Sequence, residues 1–393
     1  MTGRPAAWQL SPLELAAGVP LGTDPTRRLP RPLPGAPGAR QAFETVLLEA
    51  LRRPPCVVSF SGGRDSSAVL AVAVTVARRE GLPLPVAVSL RFAGVPAAEE
   101  TAWQQRVVDR LGVPDWERVE VDTELDLVGP LARTQFDRHG VLWPFNTMFH
   151  APIAERAAGG TLVTGFGGDE IMSPGWAWDR LNWVLTRQRR PRPADLLELA
   201  GAAGPRPLRR RVLARRPEPM DPPTWLLPAA DAAVRDGFAA LRLAEPVRHD
   251  DAVLRHWWAM RYFSVVVQSL ELMAGGYGAA IVHPFADPCF LRGIAADRGR
   301  AGPRHRSRET IGLFADVLPR EVLTRVGKAS FNGAFWGPET QEFARTWDGS
   351  GVDDGLVDVE ALRRVWHSAD PDARTYPLLQ AAFVDSGRSR RGQ

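Results

Sequence analysis

The chain has 393 residues, 45% hydrophobic and 24% charged, a balance that fits a soluble globular protein of one large or two moderate domains. A formal charge of +4 demands no nucleic-acid partner, and two distant cysteines, Cys56 and Cys289, argue against a disulfide scaffold or a CxxC zinc site. The N-terminal stretch MTGRPAAWQLSPLELAAGV lacks the apolar core of a secretory signal, and the longest apolar run, around 68–77, is too short to span a bilayer, so a cytoplasmic protein without a membrane partner is expected.

In chain order, a Pro-rich extended leader over 1–40 lies across the body. A helix over 42–51 leads to a strand over 56–60, and DSSAVLAVAVTVARR (65–79) reads as a largely buried helix. A strand follows at 86–90, then a helix over 99–111 with acidic residues in its first turn, then strands at 119–121 and 161–165. Strands alternating with helices predict an α/β fold, a parallel sheet with helices on both faces, whose ligands bind beyond the carboxyl ends of the strands. From 187 to 216 the chain is rich in Arg and Pro, read as a solvated loop. Beyond it, runs such as HWWAMRYFSVVVQSLELM have helical spacing. The expected organisation is a leader (1–40), a sheet-bearing core (41–186), a connecting segment (187–222), a helical part completing the site (223–340) and an extension (341–393).

SFSGGRDSS, residues 59–67, carries the most chemical information. It follows a buried strand and opens a helix. Gly62 and Gly63 permit backbone torsions and close approach that a side chain forbids. The helix-start amides, with Ser59, Ser61, Ser66 and Ser67 around them, can ring a pyrophosphate. Asp65 within an anion cradle repels phosphate unless a cation intervenes, which makes it a candidate Mg²⁺ ligand. A Gly turn before a Ser/Asp-capped helix is the bland reading. The pattern is not G-x-x-x-x-G-K-S/T.

SGGxDS resembles the signature of the ATP pyrophosphatases, which split ATP between its α- and β-phosphates. A second loop, TGFGGDE (164–170), bears Gly165, Gly167, Gly168 and Asp169 at the same sheet edge. Together the two loops resemble those of asparagine synthetases and their relatives, the β-lactam and lasso-peptide macrolactam synthetases. The likeness extends through 91–121, HPFADP (283–288) and LPREVLTRVGKASF (318–331), covering 42–336 with the Arg-rich stretch poorly matched. It implies ATP and Mg²⁺ as cofactors, Asp65 and Asp169 on the metal, loop amides on pyrophosphate, and adenine near Ser89 and Leu90. The implied reaction activates a carboxylate as its adenylate and passes it to an amine or ammonia, forming an amide.

Of the 49 Lys and Arg residues only Lys328 is a lysine, and it falls where the family places an active-site lysine that neutralises phosphate and the tetrahedral intermediate. Two departures qualify the likeness. Position 2 is Thr2, not the cysteine of a glutaminase, so nitrogen is expected from ammonia, a partner subunit or a substrate amine. Phe166 stands where relatives carry Glu or Tyr, so a general base must come from elsewhere: Glu170 is nearest in sequence, with Glu271 and Tyr277 as further candidates. Trp176, Trp178 and Trp183 read equally as pocket lining or core. The competing functions are a tRNA-modifying enzyme, supported by the basic stretch, and a non-catalytic nucleotide-binding scaffold. A specialised or peptide amide-bond enzyme, macrolactam formation included, is favoured over primary asparagine synthesis.

Overall fold

A computed structural model describes residues 8–391 apart from 93–94, 96–99, 217–219, 326 and 328–331. Five strands, β1 (Cys56–Ser59), β2 (Val86–Phe92), β3 (Trp116–Val121), β4 (Thr161–Val163) and β5 (Ala280–Val282), form one sheet in the order β3-β2-β1-β4-β5. Every pair is parallel, with Val57 opposite Val86 and Leu162, and Val163 opposite Val282. Side chains alternate across the pleat: Val57, Val88 and Leu162 enter one apolar core, while Val58, Ala87 and Val163 enter another on the opposite face. The α/β expectation therefore holds, and the chain reverses its winding direction between β1 and β4.

The Arg64–Glu80 helix lies within the second core, buried almost continuously from Ser66 to Ala77, and ends at Gly81 with φ of 65°. Ala39–Leu51 packs beside it. Phe43 of that helix is the hub of an aromatic cluster, its ring centroid 4.8 Å from Phe285 and 5.3 Å from both Phe290 and Phe314. This cluster ties the front of the chain to the Pro288–Arg298 and Arg306–Phe314 helices. The other core collects Val265, Val266 and Leu270 of the Arg261–Gly275 helix with Leu379 and Ala382 near the C-terminus.

Three expectations need correction. The leader holds a short Pro12–Ala17 helix with a Ser11–Glu14 capping box. Glu14 also accepts from the Leu21 amide at 2.7 Å and from Arg261 at 2.9 and 3.0 Å, which pins the segment to the body. The third helix begins at Thr101, with no acid in its first turn; Glu100 lies just before it and Glu99 lies outside the described residues. The Arg-rich stretch is not a loop but contains two helices, Pro193–Ala203 and Arg206–Leu213. Its arginines act locally: Arg216 contacts Glu198 at 3.3 Å and Arg209 stacks over Trp178 at 5.0 Å. Abundant polar side chains suggested solvent, but Val212 and Leu213 are buried, and Leu213 joins Trp178 and Leu181 in a small apolar cluster. Trp178 is thus a core residue, as the bland reading had it.

Beside that cluster, Glu245 accepts from the Ala177 amide at 2.7 Å while burial, reinforced by nearby Asp179, raises its carboxyl from 4.5 to about 7. Burial likewise raises Asp179 from 3.8 to about 6. The folded chain therefore holds protons that the unfolded chain has released, and stability declines as pH rises from about 4 through about 7. Glu245→Gln keeps the acceptor and removes the charge. It should stabilise the protein by about 1–3 kcal/mol at pH 8 and by far less at pH 5, measured by urea unfolding at both pH values. Phe43→Ala, which empties the centre of the aromatic cluster, should cost about 3–5 kcal/mol in the same assay.

Candidate active site

The two loops singled out in the sequence leave adjacent strands, β1 and β4, at their carboxyl ends, where the reversal of winding opens a crevice. In the first loop, the Ser61 amide donates to Ser66 Oγ at 3.2 Å, and the Gly63 amide donates to Ser61 Oγ at 3.3 Å. Ser66 Oγ donates in turn to the Gly63 carbonyl at 3.2 Å, so the serines brace the turn. Gly62 has φ of 80°, and a Cβ there would lie 2.9 Å from Gln104 Cγ. No side chain caps the Arg64–Glu80 helix, which leaves its first amides for an anion. In the second loop, Thr164 Oγ1 is 2.7 Å from His283 Nδ1 and accepts from the Phe166 amide at 3.3 Å.

The loops touch because glycine lets them. A Cβ on Gly168 would fall 2.4 Å from Asp65 Cγ, and one on Gly165 would fall 3.0 Å from the Ser66 amide nitrogen. Asp65 and Asp169 consequently converge on one cation. Arg306, at the start of the Arg306–Phe314 helix, donates from Nη2 to Asp65 Oδ2 at 2.6 Å and pairs through Nη1 with Asp169 Oδ1. Neither Arg306 nor its role was foreseen. The two carboxylates thus share one guanidinium. Among the described residues no group of three His, Cys, Asp or Glu side chains could hold a metal ion. Mg²⁺ fits such a sparse set, since it takes one or two carboxylates and completes its shell with water and substrate phosphate.

A cavity of about 620 Å³ opens over the loops, lined by Ser59, Ser61, Gly63, Asp65 and Ser66 from the first and by Gly165, Gly167, Asp169 and Glu170 from the second. Leu90 lines an adjoining recess with Val88 and Phe92, beside Ser61. Gly62 and Gly168 shape the loops from beneath without lining the cavity, and Ser67 departs from the expected ring: it is fully buried, its hydroxyl without a hydrogen-bond partner among the described residues. The helical turn carries Ser66 toward the cavity and Ser67 inward, a rotation of one residue that the sequence does not display. Lys328 lies outside the described residues; Gly327, which precedes it, lines the cavity.

Of the candidate bases, Glu170 faces the cavity and accepts from Tyr262 Oη at 3.0 Å. Burial, and next the Glu170 carboxylate, push the Tyr262 phenol above its ordinary range, so Tyr262 acts as a hydrogen-bond donor. Glu271 is exposed elsewhere on the same helix, and Tyr277 packs under Arg138 at 5.2 Å; neither lines the cavity. Burial lowers His150 to about 4, leaving it a neutral neighbour of Ser59 at 3.4 Å. Arg325 closes another side, donating to both Glu100 oxygens and stacking over Trp103 at 4.8 Å.

A parallel α/β sheet with two such glycine- and aspartate-bearing loops at its switch point defines a nucleotide-handling PP-loop protein. The family model for asparagine synthase matches residues 42–295, well over half of the 393-residue chain, and the protein belongs to that family. Membership makes it an asparagine synthetase-like, ATP-binding ligase that couples ATP to amide formation from a carboxylate and an amine or ammonia. No curated protein sequence matches it. Among the described residues no helix is long and apolar enough to cross a membrane.

Gly168→Ala should displace Asp65 from the shared cation and weaken Mg²⁺-ATP binding by about tenfold or more, read by calorimetry. Gly312→Ala is the control: it lies on the Arg306–Phe314 helix with nothing within 4 Å of the added methyl, and binding should be unchanged.

Proposed function

We propose that this ligase is AMP-forming: it activates a carboxylate as an acyl adenylate and transfers the acyl group to an amine or ammonia, in specialised or peptide biosynthesis and in the cytoplasm. The observation that carries this reading is the meeting of two Gly-rich loops, with Asp65 and Asp169 on one cation, at the carboxyl ends of β1 and β4. That arrangement suits a Mg²⁺-bound pyrophosphate leaving group.

In the first step a carboxylate oxygen attacks the α-phosphorus of ATP, and the bond to the β-phosphate oxygen breaks, releasing pyrophosphate. The amides at the start of the Arg64–Glu80 helix, with Ser61 and Ser66, hold the departing phosphates. Bound Mg²⁺ would neutralise charge on those phosphates, held by Asp65 and Asp169. Leu90 and its recess take the adenine. In the second step the amine nitrogen attacks the acyl carbon, the bond to AMP breaks, and the amine gives up a proton. Glu170, oriented by the Tyr262 hydroxyl, is the acceptor placed in the cavity for that proton. Lys328 is assigned to the charge that develops on the adenylate during attack.

The test is ATP–pyrophosphate exchange with Mg²⁺ across a panel of acids. Acid-dependent exchange should appear in the wild type and fall at least about 100-fold in Asp65→Ala. Lys328→Arg should reduce amide formation more than ATP affinity. Absence of both exchange and ATP binding would refute the proposal.

A further inference from the structure

We propose that the acid activated here carries a bulky apolar or aromatic group beside its carboxylate and no second carboxylate. This names the substrate class of the adenylating site and rests on that reading. The alternative is a small dicarboxylate, which the cavity fits poorly.

Within the cavity lining, Arg64 and Asp65 belong to the first loop and Asp169 and Glu170 to the second, while Arg306 bridges the two loops. Arg325 is engaged by Glu100 and by the Gly62 carbonyl at 3.3 Å, under the first loop. Apart from Glu170, which reaches toward Tyr262, these groups therefore occupy the phosphate end. The sheet order then separates the two ends of the cavity. Leu90 and its recess stand over β2, on one side of β1. The Arg261–Gly275 helix runs on to β5 and packs against it, on the other side.

That far side is apolar. Tyr262, Val266 and Leu270, one helical turn apart, present a stripe to the cavity, and Phe166 stacks beside Tyr262 with ring centroids 6.5 Å apart. Phe145 and Phe335, edge to face at 5.4 Å, add apolar lining on the side of Phe149 and the Leu90 recess. Among the described residues the lining here holds no cation for a second carboxylate. Of the polar groups beside it, Thr147 is committed, Glu170 carries the wrong sign, and Asn146 is neutral. Thr147 Oγ1 donates to the Pro144 carbonyl at 2.5 Å, and Glu170, which repels an anion, accepts from Tyr262. A second carboxylate placed here loses its hydration without a cationic partner among the described residues, whereas an apolar group gains by leaving water.

The experiment compares stable acyl-adenylate mimics, acyl sulfamoyl adenosines, titrated calorimetrically against the intact protein with ATP–Mg²⁺ as a separate control. The 3-phenylpropanoyl mimic should bind at least about 30-fold tighter than the aspartyl mimic. Leu270→Ala should erode that preference by about tenfold while leaving ATP affinity unchanged, which also shows that the variant is folded. Equal binding, or tighter binding of the aspartyl mimic, overturns the proposal, as does ATP binding without binding of either mimic. If ATP itself does not bind, the adenylation reading fails and this inference fails with it.

Discussion

Two carboxylates on different loops, Asp65 after β1 and Asp169 after β4, point at one guanidinium, and the geometry of the whole crevice follows from satisfying that triad. Unit charges of like sign about 4 Å apart repel by about 4 kcal/mol near a protein surface, so the loops can meet only across a cation. Arg306 supplies one. Its position is not a local matter: the helix it begins ends at Phe314, whose ring packs on Phe43 and Phe285. The aromatic cluster on one face of the sheet thereby sets the register of a charge at the edge of the sheet. Glycine completes the arrangement, because Gly165 and Gly168 are the points of contact between the loops.

How much of this the sequence discloses depends on the physics behind each feature. The parallel core was legible because its strands are short runs of apolar residues between helical patterns, and both loops announce themselves by glycine paired with an acid. Strand β5 was not, since Ala280–Val282 is three residues long and follows a helix-like run without a marked break. Arg306 illustrates a different blindness. Lys328 stood out because it is the single lysine, whereas Arg306 is one arginine among many and its partners lie 241 and 137 positions away. Contacts of that range leave no periodic trace. The same holds for Tyr262 on Glu170 and for Arg325 on Glu100.

The Arg-rich stretch failed as a loop for a related reason. Counting charges treats each arginine as a solvated head, yet long side chains also stack and bridge. Arg209 covers Trp178, and Arg180 forms two bonds of 2.7 Å to Asp195, so the charges close a small helical module over an apolar patch. Its buried acids, Glu245 and Asp179, mark where that closure takes carboxyl groups out of water.

The division of the cavity into a charged and an apolar end is a consequence of winding direction. Reversal at β1 places both phosphate loops side by side, which concentrates the anion-binding amides and the acids with their cation on one rim. The helix that returns the chain to β5 must bury one face against the sheet, and the apolar stripe it uses for packing continues into the open cavity through Val266 and Leu270. Glu170 stands at the boundary, one residue beyond the acid that faces Arg306 and within reach of the Tyr262 hydroxyl. In the proposed reaction a proton acceptor placed there lies between the phosphate rim and the apolar wall, where an acyl carbon joined to a nucleotide on one side and to an apolar group on the other would have to sit. On that proposal the boundary between two packing requirements is also the place where the bond chemistry is set.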